Sequence, residues 1–141
     1  MKILILCTGN SCRSQMAHGF LKSFNNNLHV ASAGTEPADA VNSGAVTVMQ
    51  EKKIDISGHK PTMVDAYLSD EWDYVITVCD DANETCPAFL GKVKNRLHMG
   101  FEDPSKATGT DEFIWSEYRR VRNEIEEAFY KLYTEELKPQ L

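Results

Sequence analysis

The chain has 141 residues, 42% of them hydrophobic and 26% charged, with a formal net charge of −6. That length suits one compact domain over residues 1–141, which can bury enough surface to fold without disulfides or metals. The acidic balance excludes a general nucleic-acid binder, which needs a basic face, so any anionic ligand must be drawn in by a local positive field.

Ile3 to Cys7 is a continuous apolar run that ends in a Gly/Asn/Ser turn, the pattern of a strand buried on both faces. From Arg13 the period becomes helical through Met16, Ala17, Phe20, Leu21 and Phe24, and Asn25-Asn26-Asn27 ends the helix. His29 to Ala33 reads as a second strand closed by Gly34, and a helix is predicted from near Asn42 toward Lys52. The stretch from Ile54 to Asp70 offers only one short helix, around Val64 to Leu68. Tyr74 to Cys79 is a β-branched, apolar strand, and a further short strand is expected near Arg96 to Met99. In the last helix Ile114, Tyr118, Val121, Ile125, Phe129 and Leu132 form an apolar stripe, opposite a solvated face of Glu124, Glu126, Glu127 and Lys131. Strands alternating with helices imply an α/β fold with a parallel sheet flanked by helices. Ligands of such sheets bind at the carboxyl ends of strands, where both Cys7 and Cys79 are expected.

No stretch is long enough to span a bilayer, and the apolar run before Cys7 is too short for a secretory leader. A cytoplasmic location is therefore expected. Thiols stay reduced there, so Cys7, Cys12, Cys79 and Cys86 point to catalysis, metal binding or redox chemistry rather than to structural staples.

Cys7-Thr8-Gly9-Asn10-Ser11-Cys12-Arg13 sits between a predicted strand and a predicted helix. Its small, turn-forming residues let the backbone wrap tightly, and wrapped amides with the positive end of the helix make an anion site. Arg13 can close the ring through its guanidinium. The same field is expected to lower the pKa of Cys7 and make it a nucleophile, with Ser14 donating a hydrogen bond to the thiolate. The bland alternative is a buried strand-end cysteine and an arginine that merely begins a helix. The flanking elements and the Gly-Asn-Ser turn favour the functional reading.

Residues 7–14, Cys-Thr-Gly-Asn-Ser-Cys-Arg-Ser, resemble the signature loop of low-molecular-weight protein tyrosine phosphatases. They are still more similar to that of the related thioredoxin-coupled arsenate reductases, in which Ser-Gln-Met-Ala follows the arginine as Ser14 to Ala17 do here. The similarity extends over Ser32-Ala33-Gly34, Asp55-Ile56-Ser57, Cys79 with Cys86-Pro87, Gly100 to Pro104 and Arg119 to Arg122. It implies a phosphatase-like, four-stranded parallel sheet and an enzyme of arsenical resistance. It also implies an oxyanion cradle made of Thr8, Gly9, Asn10, Ser11, Cys12, Arg13 and Ser14, with arsenate as substrate and phosphate or sulfate as analogues.

Cys79 and Cys86 lie seven positions apart, with no neighbour at zinc-ligand spacing. They are either unrelated thiols or a redox pair. Were the segment helical, their Cα atoms would be about 10.5 Å apart, whereas a disulfide needs them within about 7 Å. Pairing would thus require the polar segment between them to loop out, and residues 79–90 are expected to change shape on oxidation. The resemblance implies the relay. Cys7 attacks arsenate, Cys79 attacks Cys7 to release arsenite and form a Cys7–Cys79 disulfide, and Cys86 then forms a Cys79–Cys86 disulfide that thioredoxin reduces. Cys12 is a bystander in the loop, or alternatively a protective partner for Cys7.

Asp103-Pro104 reads as a turn, and by resemblance Asp103 is the general acid that protonates the departing oxygen. His18, His29, His59 and His98 share no spacing and read as surface or packing residues. Some of these reductases bind potassium through an acid early in the first helix. The matching position here is His18, so potassium is not carried over, and no bound cofactor or metal is expected. Met99 stands where the resemblance would place tryptophan, and Ser105 where the phosphatases often carry tyrosine.

Three readings follow. The first is a monomeric arsenate reductase drawing electrons from thioredoxin, with no nucleic-acid or membrane partner and with residual phosphatase activity. The second is a low-molecular-weight phosphatase that hydrolyses phosphate monoesters through a Cys7 phosphoenzyme, leaving Cys79 and Cys86 idle. The third is an oxyanion-binding or redox-sensing module without turnover, for which no output element is visible.

Overall fold

The computed structural model describes residues 1–79 and 91–141. Four strands form one all-parallel sheet: β1 (Lys2–Cys7), β2 (His29–Gly34), β3 (Trp72–Thr77) and β4 (Val93–His98), in the order β2-β1-β3-β4. Ile3, Leu4, Ile5 and Leu6 of the central strand β1 are fully buried, which explains the unbroken apolar run. The chain leaves β1 toward β2 on one side and returns to β3 on the other. This reversal opens a crevice beyond the carboxyl end of β1. The register pairs Cys7 with Gly34 and Leu6 with Thr77, so Cys7 and Cys79 reach the same sheet edge.

Helix α1 (Arg13–Phe24) buries Met16, Ala17, Phe20 and Leu21, the residues of its sequence period. Helix α2 (Ser43–Gln50) begins at Asn42, whose side chain accepts from Ala45 N at 3.0 Å. The long helix α3 (Asp111–Leu132) buries Tyr118, Val121, Ile125, Phe129 and Leu132, while Ile114 is half-buried. The buried Arg122 ties α3 to α2, donating to Val48 O at 3.0 Å and to Glu51 at 2.6 Å. The short helix expected near Val64 is a 3-10 turn, Val64–Tyr67. A second such turn spans Pro104–Lys106. Among the described residues no helix is long and apolar enough to cross a membrane.

Two strands are displaced from the sequence expectation. β3 starts at Trp72 and ends at Thr77, two residues earlier than predicted, because Asp73 is accommodated within it: its carboxylate accepts from Lys2 N at 2.7 Å and pairs with Lys94 at 3.2 Å. β4 starts at Val93 rather than Arg96, because its polar residues lie on an exposed edge strand and leave no apolar run.

Candidate functional site

The turn from β1 into α1 is fastened from outside at every carbonyl between Thr8 and Cys12. Glu36 N donates to Thr8 O at 2.9 Å, Ala38 N to Gly9 O at 2.9 Å and Asn42 N to Ser11 O at 2.8 Å. Gln15 Nε2 donates to Asn10 O at 3.0 Å, and Met16 N closes on Cys12 O at 3.0 Å. With the carbonyls turned outward, the amides turn inward. Those of Gly9, Asn10, Ser11 and Cys12 have no acceptor among the described residues. Buried amides rarely go unpaired, and each orphan costs about 1–3 kcal/mol. A cluster of four around one concavity is the polar inverse of an oxyanion.

Asn10 takes the left-handed conformation that sharpens the turn, with φ 49°. Its fully buried side chain is held twice, donating to Ser14 Oγ at 2.8 Å and accepting from Thr62 N at 2.9 Å. Gly34 permits the close approach of β2, since a Cβ there would lie 2.4 Å from Thr8 O and 3.0 Å from Cys7 O. The N-terminus of α1 has neither a side-chain cap nor an acidic residue in its first turn, so nothing within the helix offsets its positive end at the concavity.

The pocket holds about 240 Å³ and is walled by the loop from Cys7 to Arg13 with Asp103, Ser105 and Lys106. A larger, more open groove beside α2, about 720 Å³, contains no thiol and no arginine. Arg13 Nη1 donates to Phe101 O at 2.9 Å, and Nη2 lies 3.6 Å from Asp103 Oδ2. Its Nε is buried without a partner, which gives the pocket a further donor to satisfy. The Asp103 carboxylate accepts from Ser105 N at 3.0 Å and from Ser105 Oγ at 2.6 Å. Asp103 therefore both starts a turn and presents an oxygen to the pocket.

Two sequence expectations about the nucleophile are corrected by this geometry. The thiol of Cys7 is not eased toward ionisation. The neighbouring Cys79 thiol and burial push its pKa well up, and together they outweigh the opposing charge of Arg13. Ser14 Oγ accepts from Asn10 instead of donating to Cys7. Cys79 is docked against the loop: its sulfur accepts from Thr8 N at 3.2 Å and lies 3.5 Å from Thr8 Oγ1. Cys12 is buried, and desolvation, then the Asp103 charge, raises its thiol to about 12, which suits an inert side chain. Cys86 and most of the segment expected to loop out lie outside the described residues.

Residues read only as packing prove to support the loop. His59 Nδ1 lies 2.9 Å from Gln15 Oε1 and donates to it, since the Gln15 amide nitrogen is engaged with Asn10 O. The His59 ring lies 4.5 Å from that of His18, whose Nδ1 is 2.9 Å from Ser32 Oγ. Burial, then the neighbouring His59 and Lys22, lowers His18 to about 4, so it is neutral at pH 7. α1 carries no carboxylate at all. Tyr118, assigned to the apolar stripe, also lies beside Asn42, whose amide holds Ser11 O. These links join residues far apart in sequence, and no motif marks them. The signal that was available was the placement of Gln15 and His18 on one α1 face, three positions apart.

Residues 2–141 match the family described as low molecular weight phosphotyrosine protein phosphatase. Over 124 residues the chain is 49% identical to an arsenate reductase of Halalkalibacterium halodurans, covering 87% of this chain and 88% of that one. An arsenate reductase of Bacillus subtilis is 46% identical over the same shares. Among solved structures, one described as an arsenate reductase in the phosphate binding state superposes with a TM-score of 0.80 at 30% identity, covering 94% of this chain and 96% of that one.

Proposed function

The chain belongs to the low molecular weight phosphotyrosine protein phosphatase family, and on that premise we propose that it is an arsenate reductase that draws its electrons through thiols from thioredoxin. The observation that carries this reading is the pairing of two features at one sheet edge. An inward-facing amide cradle surrounds Cys7, and the sulfur of a second thiol, Cys79, lies beside it and accepts from Thr8 N. A phosphatase needs the cradle and Cys7 alone, whereas a reductase also needs a thiol within reach of Cys7. The names of the curated relatives support the same choice.

Arsenate sits on the amides of Gly9 to Arg13, with the Arg13 guanidinium, including its unpartnered Nε, across its oxygens. The Cys7 sulfur forms a bond to arsenic, and one arsenate oxygen leaves as water with a proton supplied from Asp103. The proton of the Cys7 thiol passes to an oxygen of the bound arsenate as the sulfur attacks, with Arg13 favouring the anionic sulfur. Cys79 then attacks Cys7. The S–S bond forms, the S–As bond breaks, and its electron pair remains on arsenic, so As(V) becomes As(III) and arsenite departs. Cys86 displaces Cys7 from Cys79, and a thioredoxin dithiol reduces the Cys79–Cys86 disulfide. Arsenate and a dithiol thus become arsenite, water and a disulfide. The scheme needs no bound cofactor and no potassium, and it runs in a monomer in a reducing cytoplasm.

Residual phosphatase activity is a second reading favoured by the family match, because the cradle and Cys7 serve both reactions. Among the described residues no aromatic side chain lines the pocket to hold an aryl ester, which keeps it secondary. The decisive assay follows arsenite formation with thioredoxin, thioredoxin reductase and NADPH. Turnover by the wild type that disappears in Cys86→Ser supports the relay. Aryl phosphate hydrolysis by both proteins without arsenate reduction would hand the assignment to the phosphatase reading.

A further inference from the structure

The pocket carries two cations where the motif supplies one. Arg13 faces Asp103 at 3.6 Å, so these two side chains bring little net charge to a protein whose total is −6. Lys106 lines the same pocket. It is exposed and makes no ion pair among the described residues, so its charge is not spent on a neighbouring carboxylate. Its stem is positioned by the 3-10 turn: Lys106 N donates to Asp103 O at 3.3 Å, Ala107 N to Pro104 O at 3.2 Å, and Pro104 is buried. The exposed wall of the pocket is therefore Ser105 and Lys106, a hydroxyl and an ammonium.

We propose that Lys106 is a specificity-determining residue that favours free tetrahedral oxyanions, with four oxygens to engage, over aryl esters in the Cys7 loop. This rests on the oxyanion-transfer reading of that loop. A free arsenate or phosphate keeps a fourth oxygen on the side that faces away from Cys7, to which the Lys106 ammonium can donate. An aryl ester puts an apolar ring there, which gains nothing from the ammonium. The attraction between that ammonium and the bound oxyanion is one that salt screens.

The test compares wild type, Lys106→Gln and Lys106→Arg in the full-length chain. Binding of inorganic phosphate is measured by calorimetry, and KM and kcat are measured for arsenate and for para-nitrophenyl phosphate, each at low and high salt. Lys106→Gln is expected to raise the phosphate Kd and the arsenate KM by about three- to tenfold at low salt, with a flatter salt dependence. Its kcat should hold, and KM for the aryl ester should move by less than about twofold. Lys106→Arg should restore the wild-type values. An unchanged phosphate Kd and salt slope in Lys106→Gln would overturn the proposal, as would an aryl-ester KM that rises as far as the phosphate Kd. A wild type that does not reduce arsenate removes the reductase reading, while the phosphate and aryl-ester arms still decide the role of Lys106.

Discussion

The N-termini of α1 and α3 begin alike and are completed differently. At α3 the Thr110 hydroxyl accepts from Phe113 N at 3.1 Å, and Asp111 and Glu112 stand in the first turn, so the helix satisfies its own orphan amides and dipole. At α1 the N-cap is Cys12, no side chain caps the turn, and no acid offsets the dipole. α3 gains stability from its cap, whereas α1 leaves that stabilisation to a ligand. The cost at α1 is met by the surrounding chain, which fixes each loop carbonyl from Thr8 to Cys12.

Closing that difference should have the largest effect. Ser11→Asp places a carboxylate at the half-buried edge of the cradle and makes α1 resemble α3. Like charges a few ångströms apart near a protein surface repel by a few kcal/mol, so phosphate affinity should fall by at least about tenfold while melting temperature holds or rises. Calorimetry and thermal melts would show both. Asp103→Asn separates binding from proton delivery. Turnover should fall by about a hundredfold, within the range for loss of a general acid, with phosphate affinity retained. Unchanged kcat would remove Asp103 from the chemistry.

The support behind α1 is expected to be acid-sensitive. His18 has an ordinary value of 6.5 and is held at about 4 by burial, His59 and Lys22. The unfolded chain takes up this proton as pH falls through 6.5, while the folded chain resists until about 4. Stability should therefore drop between these values, by on the order of 3 kcal/mol at the acid end, and level off below. Denaturation midpoints across that window should flatten in His18→Gln. The smallest effect belongs to α3: Thr110→Ala should cost about 1 kcal/mol of stability and leave arsenate turnover alone.

The β1–loop–α1 unit was legible because each part leaves a local mark: an apolar run, a turn of small residues, a 3.6 period. The stripe of α3 was legible for the same reason. The edges of β3 and β4 were not, because Asp73 and the polar residues of β4 are tolerated by pairing and exposure that only the assembled sheet supplies. The chemistry of Cys7 was legible as a position and not as an ionisation state, since the opposing influence of Cys79 arrives from 72 positions away. The same holds for Gln15, His59, Thr62 and Gly34, whose bonds or close approaches to the loop are set by tertiary structure.

In the reading proposed above, the amides from Gly9 to Arg13 face a tetrahedral anion. Amide shifts followed by nuclear magnetic resonance during a titration with inorganic phosphate test it most directly, using Cys7→Ser to prevent covalent chemistry. Saturable shifts of the Gly9, Asn10, Ser11, Cys12 and Arg13 amides with a common Kd are expected, and none for Asp111 to Phe113 at the capped α3 terminus. Loop amides that stay fixed at saturating phosphate, or that move no more than those of α3, would contradict it.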